Sequence, residues 1–145
     1  SLKSLSLACT DVSDQGIAAL DQPARLKHLV LSHTSVTDAG VCRLSRIRSV
    51  EYLNLEGCSV GDEACRYIAA MPNLEVLSVD STQVTGAGLK ALAGAASLRW
   101  VSAVDTAVTQ EAARELKEMS SSIDVRLREE LTCEERFERV VAPEY

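Results

Sequence analysis

An aliphatic residue returns at the same five places of a 24-residue period, in the pattern L-x-x-L-x-L-x-x-T-x-V, with units opening at Leu2, Leu26, Val50, Leu74 and Leu98. A unit this short cannot enclose its own apolar side chains, so successive units must stack and share one continuous core. The five places hold Leu2, Leu5, Leu7, Val12 and Leu20, then Leu26, Leu29, Leu31, Val36 and Leu44, then Val50, Leu53, Leu55, Val60 and Ile68. Leu74, Leu77, Val79, Val84 and Leu92 follow, and then Leu98, Val101, Ala103, Val108 and Leu116, where Ala103 is the one departure.

Within a unit, Leu29 and Leu31 flank Val30, the period-two signature of a short strand with its leucines turned inward. A helix follows. Ser13, Thr37, Thr85 and Thr109 stand where a side chain caps the free N–H groups, and Asp14, Asp38 and Asp62 stand where the helix dipole favours an acid. Gly16, Gly40 and Gly88, with Ala64 and Ala112 in the same place, allow the helix to pack closely on the strand layer. The column Thr10, Thr34, Cys58, Thr82 and Thr106 lies at the strand-to-helix turn, where a buried hydroxyl can bond the turn's backbone. With no base beside it, the column is not read as a row of nucleophiles. The expected architecture is an α/β right-handed solenoid of strand–helix repeats.

Residues 1–122 supply five units, and 123–145 a degenerate sixth strand and a charged helical cap. Val125 and Leu127 keep phase with Val101 and Ala103, Thr132 with Glu135 forms a capping box, and Phe137, Val140 and Val141 follow at helical spacing before Ala142-Pro143 stops the helix. This amphipathic helix is expected to cover the last unit, its charges being either a solvated face or a docking tail for a basic partner. No polar cap precedes Leu2. The expectation is the C-terminal part of a longer protein, or else self-association through the uncapped first strand.

The 145 residues carry a formal net charge of -6, which works against neutralising a phosphate backbone, so nucleic acid is not an expected partner. No run approaches the length of a membrane span, and the first ten residues lack a basic segment followed by an apolar one. Cys9, Cys42, Cys58, Cys65 and Cys133 are odd in number and form no C-x-x-C pair, and neither Asn54 nor Asn73 begins a glycosylation acceptor. A reducing intracellular compartment, such as the cytoplasm, is expected.

The third place of each unit, which should face outward on the hollow side of the stack, reads Ser4, His28, Tyr52, Val76 and Trp100. Strands about 4.8 Å apart would set His28 to Trp100 into a water-facing ridge roughly 14 Å long. Tyr and Trp on such a face suit a protein interface, although strands favour aromatics in any case. Beside the ridge stand Val30, Asn54, Ser78 and Ser102, beyond them Ser32, Glu56, Asp80 and Asp105 form an acidic margin, and His33 lies at the strand's exit. Without Ser4 and Ser32, the residues of ridge, flank and margin together with His33 number twelve. These twelve residues are the candidate partner-binding set, suited to a protein with an apolar anchor and a Lys or Arg. Two histidines five places apart on an open surface do not converge, so no metal, catalytic group or cofactor is expected.

The motif T-x-V-T-D-A-G of Thr34–Gly40, set in the period above, resembles leucine-rich repeat proteins of the ribonuclease-inhibitor-like class. It is especially similar to the cysteine-containing subfamily joined to F-boxes in ubiquitin-ligase substrate receptors, and to bacterial and protozoan variants with threonine in the column. The likeness covers residues 2 to about 127. It implies a horseshoe that binds proteins along its concave strand face without being an enzyme. The 24-residue unit, the threonine column and the lack of an F-box segment depart from the F-box type. A structural scaffold assembling end to end is the remaining alternative.

Overall fold

The computed structural model describes residues 2–20 and 25–127, and the helix expected over Thr132–Val141 lies outside them. Strands and helices alternate: β1 (Ser4–Ser6), α1 (Asp14–Ala18), β2 (His28–Val30), α2 (Asp38–Leu44), β3 (Tyr52–Asn54), α3 (Asp62–Ala69), β4 (Val76–Ser78), α4 (Gly86–Ala91), β5 (Trp100–Ser102), α5 (Gln110–Met119) and β6 (Asp124–Arg126). A 3₁₀ turn, Leu92–Gly94, follows α4.

The six strands form one parallel sheet in chain order. Every paired residue meets the one a full period later, so Leu5, Leu29, Leu53, Leu77, Val101 and Val125 make one row. Below it lie Leu44, Ile68, Leu92 and Leu116 from the helical side, all withdrawn from water with Leu29, Leu53, Leu77 and Val101 in a single core. Helices of five to ten residues are marginal alone, so this burial holds them. At the β1 edge Leu5, Leu7, Val12 and Leu20 are only half-buried, and Leu2 is exposed.

Two polar columns run along the stack, the first closing each unit's own strand-to-helix turn. In the threonine column the hydroxyls of Thr10, Thr34 and Thr106 donate to the carbonyls of Leu7, Leu31 and Ala103 at 2.6, 2.8 and 2.7 Å, and Thr82 does so to Val79. Cys58 breaks the rule: its thiol reaches back to Leu31 O of the preceding unit, at 3.0 Å.

The second column corrects the capping expectation. Asp14 accepts from both the amide N (2.8 Å) and the hydroxyl (2.6 Å) of Thr37, one unit on. Asp62 holds Thr85 in the same way, and Asp38 accepts from the amide of Gly61 at 2.8 Å. These aspartates therefore tie adjacent helix starts together in addition to facing a dipole. Ser13 and Thr37 make no side-chain cap bond, whereas Thr85 and Thr109 accept from Ala87 N and Ala112 N. The glycine reading shifts too. A Cβ at Gly40 would meet Asp14 of the preceding unit and Val36 of its own, and one at Gly88 would meet Asp62 of the preceding unit, so the nearest crowding comes chiefly from the preceding unit's acid.

A third column was not anticipated. Cys9, His33, Gly57, Ser81 and Asp105 have φ of 57°, 55°, 70°, 53° and 55°, one left-handed residue per unit just before the threonine column. This reversal takes the chain out of the sheet towards the helix. A Cβ on Gly57 would press into the His33 ring, which stands over it from the unit before.

Candidate partner-binding face

Residues between the core leucines point to the opposite face of the sheet, because strand side chains alternate. Register places them in two rows: Ser4, His28, Tyr52, Val76, Trp100 and Asp124, and beside them Ser6, Val30, Asn54, Ser78, Ser102 and Arg126. Among the described residues, Tyr52 and Val76 form a small apolar cluster separate from the main core, with Val30 and Trp100 packed against it. The rings of His28 and Tyr52 meet edge to face, centroids 6.3 Å apart at 89°.

The structure brings the ridge together but corrects its expected exposure. Tyr52 and Val76 keep only 3% and 2% of their surface in water, and Asn54, Ser78 and Ser102 keep 5%, 1% and 0%. His28, Val30 and Trp100 are half-buried, while Ser4 and Ser6 on β1 are exposed. An aromatic and aliphatic row left bare would forfeit about 25 cal/mol for each Å² of apolar surface, which favours its withdrawal. Parallel sheets commonly have both faces covered.

The polar members are largely committed within the chain. Asp80 Oδ1 accepts from Ser102 Oγ at 2.6 Å and from Val104 N at 2.7 Å, and Asn54 Oδ1 accepts from Glu56 N at 2.9 Å. Ser78 Oγ is buried and finds no hydrogen-bond partner among the described residues. Glu56 lies 3.8 Å from Nε2 of His33, and both are well exposed, so the pair contributes little by itself.

Asp105 does not belong to the margin where the sequence reading put it. The place equivalent to Glu56 and Asp80 is Val104, and Asp105, one residue on, occupies the left-handed turn, where it accepts from Ser81 Oγ at 3.2 Å. Sequence reasoning also passed over Asp124 and Arg126, which extend both rows on β6. The signal was present, since both fall a full period after Trp100 and Ser102.

Among the described residues no group of three or more His, Cys, Asp or Glu is placed to hold a metal ion. Cys65, in the main core, has its thiol pushed up to about 12, first by burial and then by Asp62 and Asp38, which makes it an inert packing group. No helix of the described residues is long and apolar enough to cross a membrane.

The family model described as leucine rich repeat matches residues 1–20, 46–69 and 70–93. No curated protein matches the chain. Among solved structures, 85 chains are similar. One is internalin C2 from Listeria monocytogenes str. 4b F2365, with a TM-score of 0.68 and 23% identity over 87% of this chain. The chain spans about half of that structure, 51% of its length. The likeness establishes the fold: an α/β leucine-rich repeat solenoid, in which parallel strands line one side and helices the other.

Proposed function

We propose that this leucine-rich repeat solenoid is a non-enzymatic protein-binding module whose partner docks on the concave, strand-lined face. Proteins built of such repeats generally mediate protein–protein interactions. The observation that carries the reading is the apolar cluster of Tyr52, Val76, Val30 and Trp100 on the sheet face opposite the main core. Large amphipathic side chains held on a regular sheet are the usual anchors of binding energy, because little conformational entropy is left to lose. His28, Asn54, Ser78 and Ser102 complete the floor, while His33, Glu56 and Asp80 rim it. Glu56 suits a Lys or Arg of the partner, steering approach more than deepening affinity. A reducing compartment, such as the cytoplasm, is the proposed home, in keeping with free thiols at Cys9, Cys42, Cys58 and Cys65.

The test is affinity purification with mass spectrometry, using the full chain and its Tyr52→Ala/Trp100→Ala variant as baits. Partners captured by the parent should fall at least severalfold with the variant while its unfolding stays cooperative. Equal capture by both baits would remove the face from the binding site. A narrower version, substrate recognition for an F-box-type ubiquitin ligase, rests on the Thr34–Gly40 motif and requires ligase adaptors among the captured proteins.

A further inference from the structure

Five arginines gather along one edge of the first three units, where the helices end. Arg43 lies in the last turn of α2 and Arg66 in that of α3, Arg46 and Arg48 follow α2, and Arg25 leads into β2. All five are exposed. The amide of Arg46 donates to the carbonyl of Arg43 at 3.1 Å, so the helical turn continues and sets the two side chains on one side. The loop beyond is pinned from both flanks: Ser49 Oγ donates to Leu26 O, next to Arg25, at 2.7 Å, and Asn73 Nδ2 donates to Arg48 O at 2.8 Å. The backbone that carries the patch is thereby fixed before anything binds.

The repeat supplies its own comparison. One period after Arg43, Arg46 and Arg48 stand Tyr67, Ala70 and Pro72, then Ala91, Gly94 and Ala96, then Glu115, Glu118 and Ser120. The fold therefore needs no cation at these places. Arg43 and Arg66 also face the dipole at their helix ends, but Arg25, Arg46 and Arg48 lie outside the helices. Charge pairing does not account for them either. Among the described residues none of the five makes an ion pair, whereas Lys27, Lys90 and Lys117 each hold a carboxylate. No acid occurs from Ala39 to Val50, Glu51 is taken by Lys27, and Asp14, Asp38 and Asp62 begin the helices at their opposite ends. Like charges gathered without partners repel one another, a cost that an anionic ligand would remove.

We propose that Arg25, Arg43, Arg46, Arg48 and Arg66 form a second docking surface, on the helix-end edge, for an acidic segment of a protein partner, a short run of Asp and Glu. A guanidinium presents paired N–H donors that match the two oxygens of a carboxylate. Each exposed pair contributes little alone, so the affinity comes from several engaged together. A nucleic acid would carry its phosphates past the patch and along a molecule of net charge -6. A lipid surface asks for an apolar side chain to insert beside the basic ones, and the exposed large apolar residues among those described, Leu2 and Met119, belong to the first and fifth units, outside the Arg43–Arg66 stretch. The surface is separate from the concave face and does not rest on that reading.

Fluorescence anisotropy of a fluorescein-labelled peptide of alternating Glu and Ser, titrated with the full chain, tests it. Binding should appear at low salt, weaken as salt rises, and fall severalfold for Arg43→Gln/Arg46→Gln/Arg48→Gln. The variant Lys3→Gln/Arg99→Gln/Arg114→Gln changes the net charge equally and should bind as the parent does. Absence of binding, or an equal fall in both variants, overturns the proposal. Tighter retention through the same arginines on phosphatidylserine vesicles, or on oligothymidine, overturns it in favour of a membrane or a nucleic acid. Should the first variant lose cooperative unfolding, Arg46→Gln/Arg48→Gln, confined to the loop, decides by the same criteria. Tyr52→Ala/Trp100→Ala should hold the peptide unchanged, so the concave reading and this one fail separately, and a fall there would move the peptide to the sheet face and refute the arginine surface.

Discussion

The carboxylate of Asp62 grips Thr85 of the next unit twice, at 2.7 Å from its amide N and 2.6 Å from its hydroxyl. Both bonds are partly withdrawn from water, and one of them satisfies a backbone donor that begins α4. Asp62→Ala should therefore cost about 1–3 kcal/mol in urea unfolding. Thr85→Ala made on top of it should cost clearly less than Thr85→Ala alone. Strictly additive losses would mean that the two side chains do not meet in solution.

Gly88 and Gly94 should respond to alanine with opposite signs. A Cβ at Gly88 would lie 3.0 Å from Asp62 Cα and closer still to its carboxylate, whereas one at Gly94 would meet nothing within 4 Å. Alanine is the better helix former by about 1 kcal/mol, so destabilisation by Gly88→Ala is a packing effect winning over propensity. Gly94→Ala should be neutral or stabilising by a few tenths of a kcal/mol. Thermal melts of the two variants settle it, and a stabilised Gly88→Ala would show that the aspartate column can shift.

Leucines in one row should differ by position. Leu53 is completely buried with strands on both sides, and Leu53→Ala should lose about 2–5 kcal/mol through the cavity it leaves. Leu5, half-buried on the edge strand, should lose markedly less. Equal losses in denaturant titrations would indicate that the first unit is packed as fully as the third.

Cys65 gives a pH signature. Its folded thiol holds the proton up to about 12 against an ordinary 9.0, because burial, Asp62 and Asp38 all disfavour the thiolate. Below the ordinary value both folded and unfolded thiols are protonated, and the group leaves stability independent of pH. Above it the unfolded chain ionises first, so stability should fall by up to about 1.4 kcal/mol per pH unit until the folded thiol titrates. Comparing urea midpoints with those of Cys65→Ala between pH 8 and 10.5 isolates this contribution. The thiol should also resist alkylation in the native state, while exposed Cys9 reacts.

The phase of Leu29 and Leu31 against Val30 was legible because a strand has two faces and a helix must land on one of them. Even Val125 on β6 could be placed by counting. The role of Asp14, Asp38 and Asp62 was hidden by an ambiguity: an acid at a helix start serves a dipole and an inter-unit bond equally well, and only three-dimensional register shows Thr37 or Thr85 alongside. The left-handed column escaped notice because Cys9, His33 and Ser81 carry none of glycine's conformational signal. Tyr52 and Val76 were read onto the correct face with the wrong exposure, since a strand residue's burial depends on what packs around it and not on its own place in the repeat.

The ties that cross between units, from the Asp62–Thr85 clasp to the Leu31 carbonyl taken by Cys58, each join a unit to its immediate neighbour. Length in this molecule is consequently a quantised variable. Excising residues 74–97 would hand Asp62 a new mate at Thr109 and set Leu53 against Val101. A deletion that is not a whole number of 24-residue units would throw threonine, aspartate and leucine columns out of step together. Natural or engineered variation in the number of units is thus open to the chain, whereas a one-residue slip in mid-stack is not.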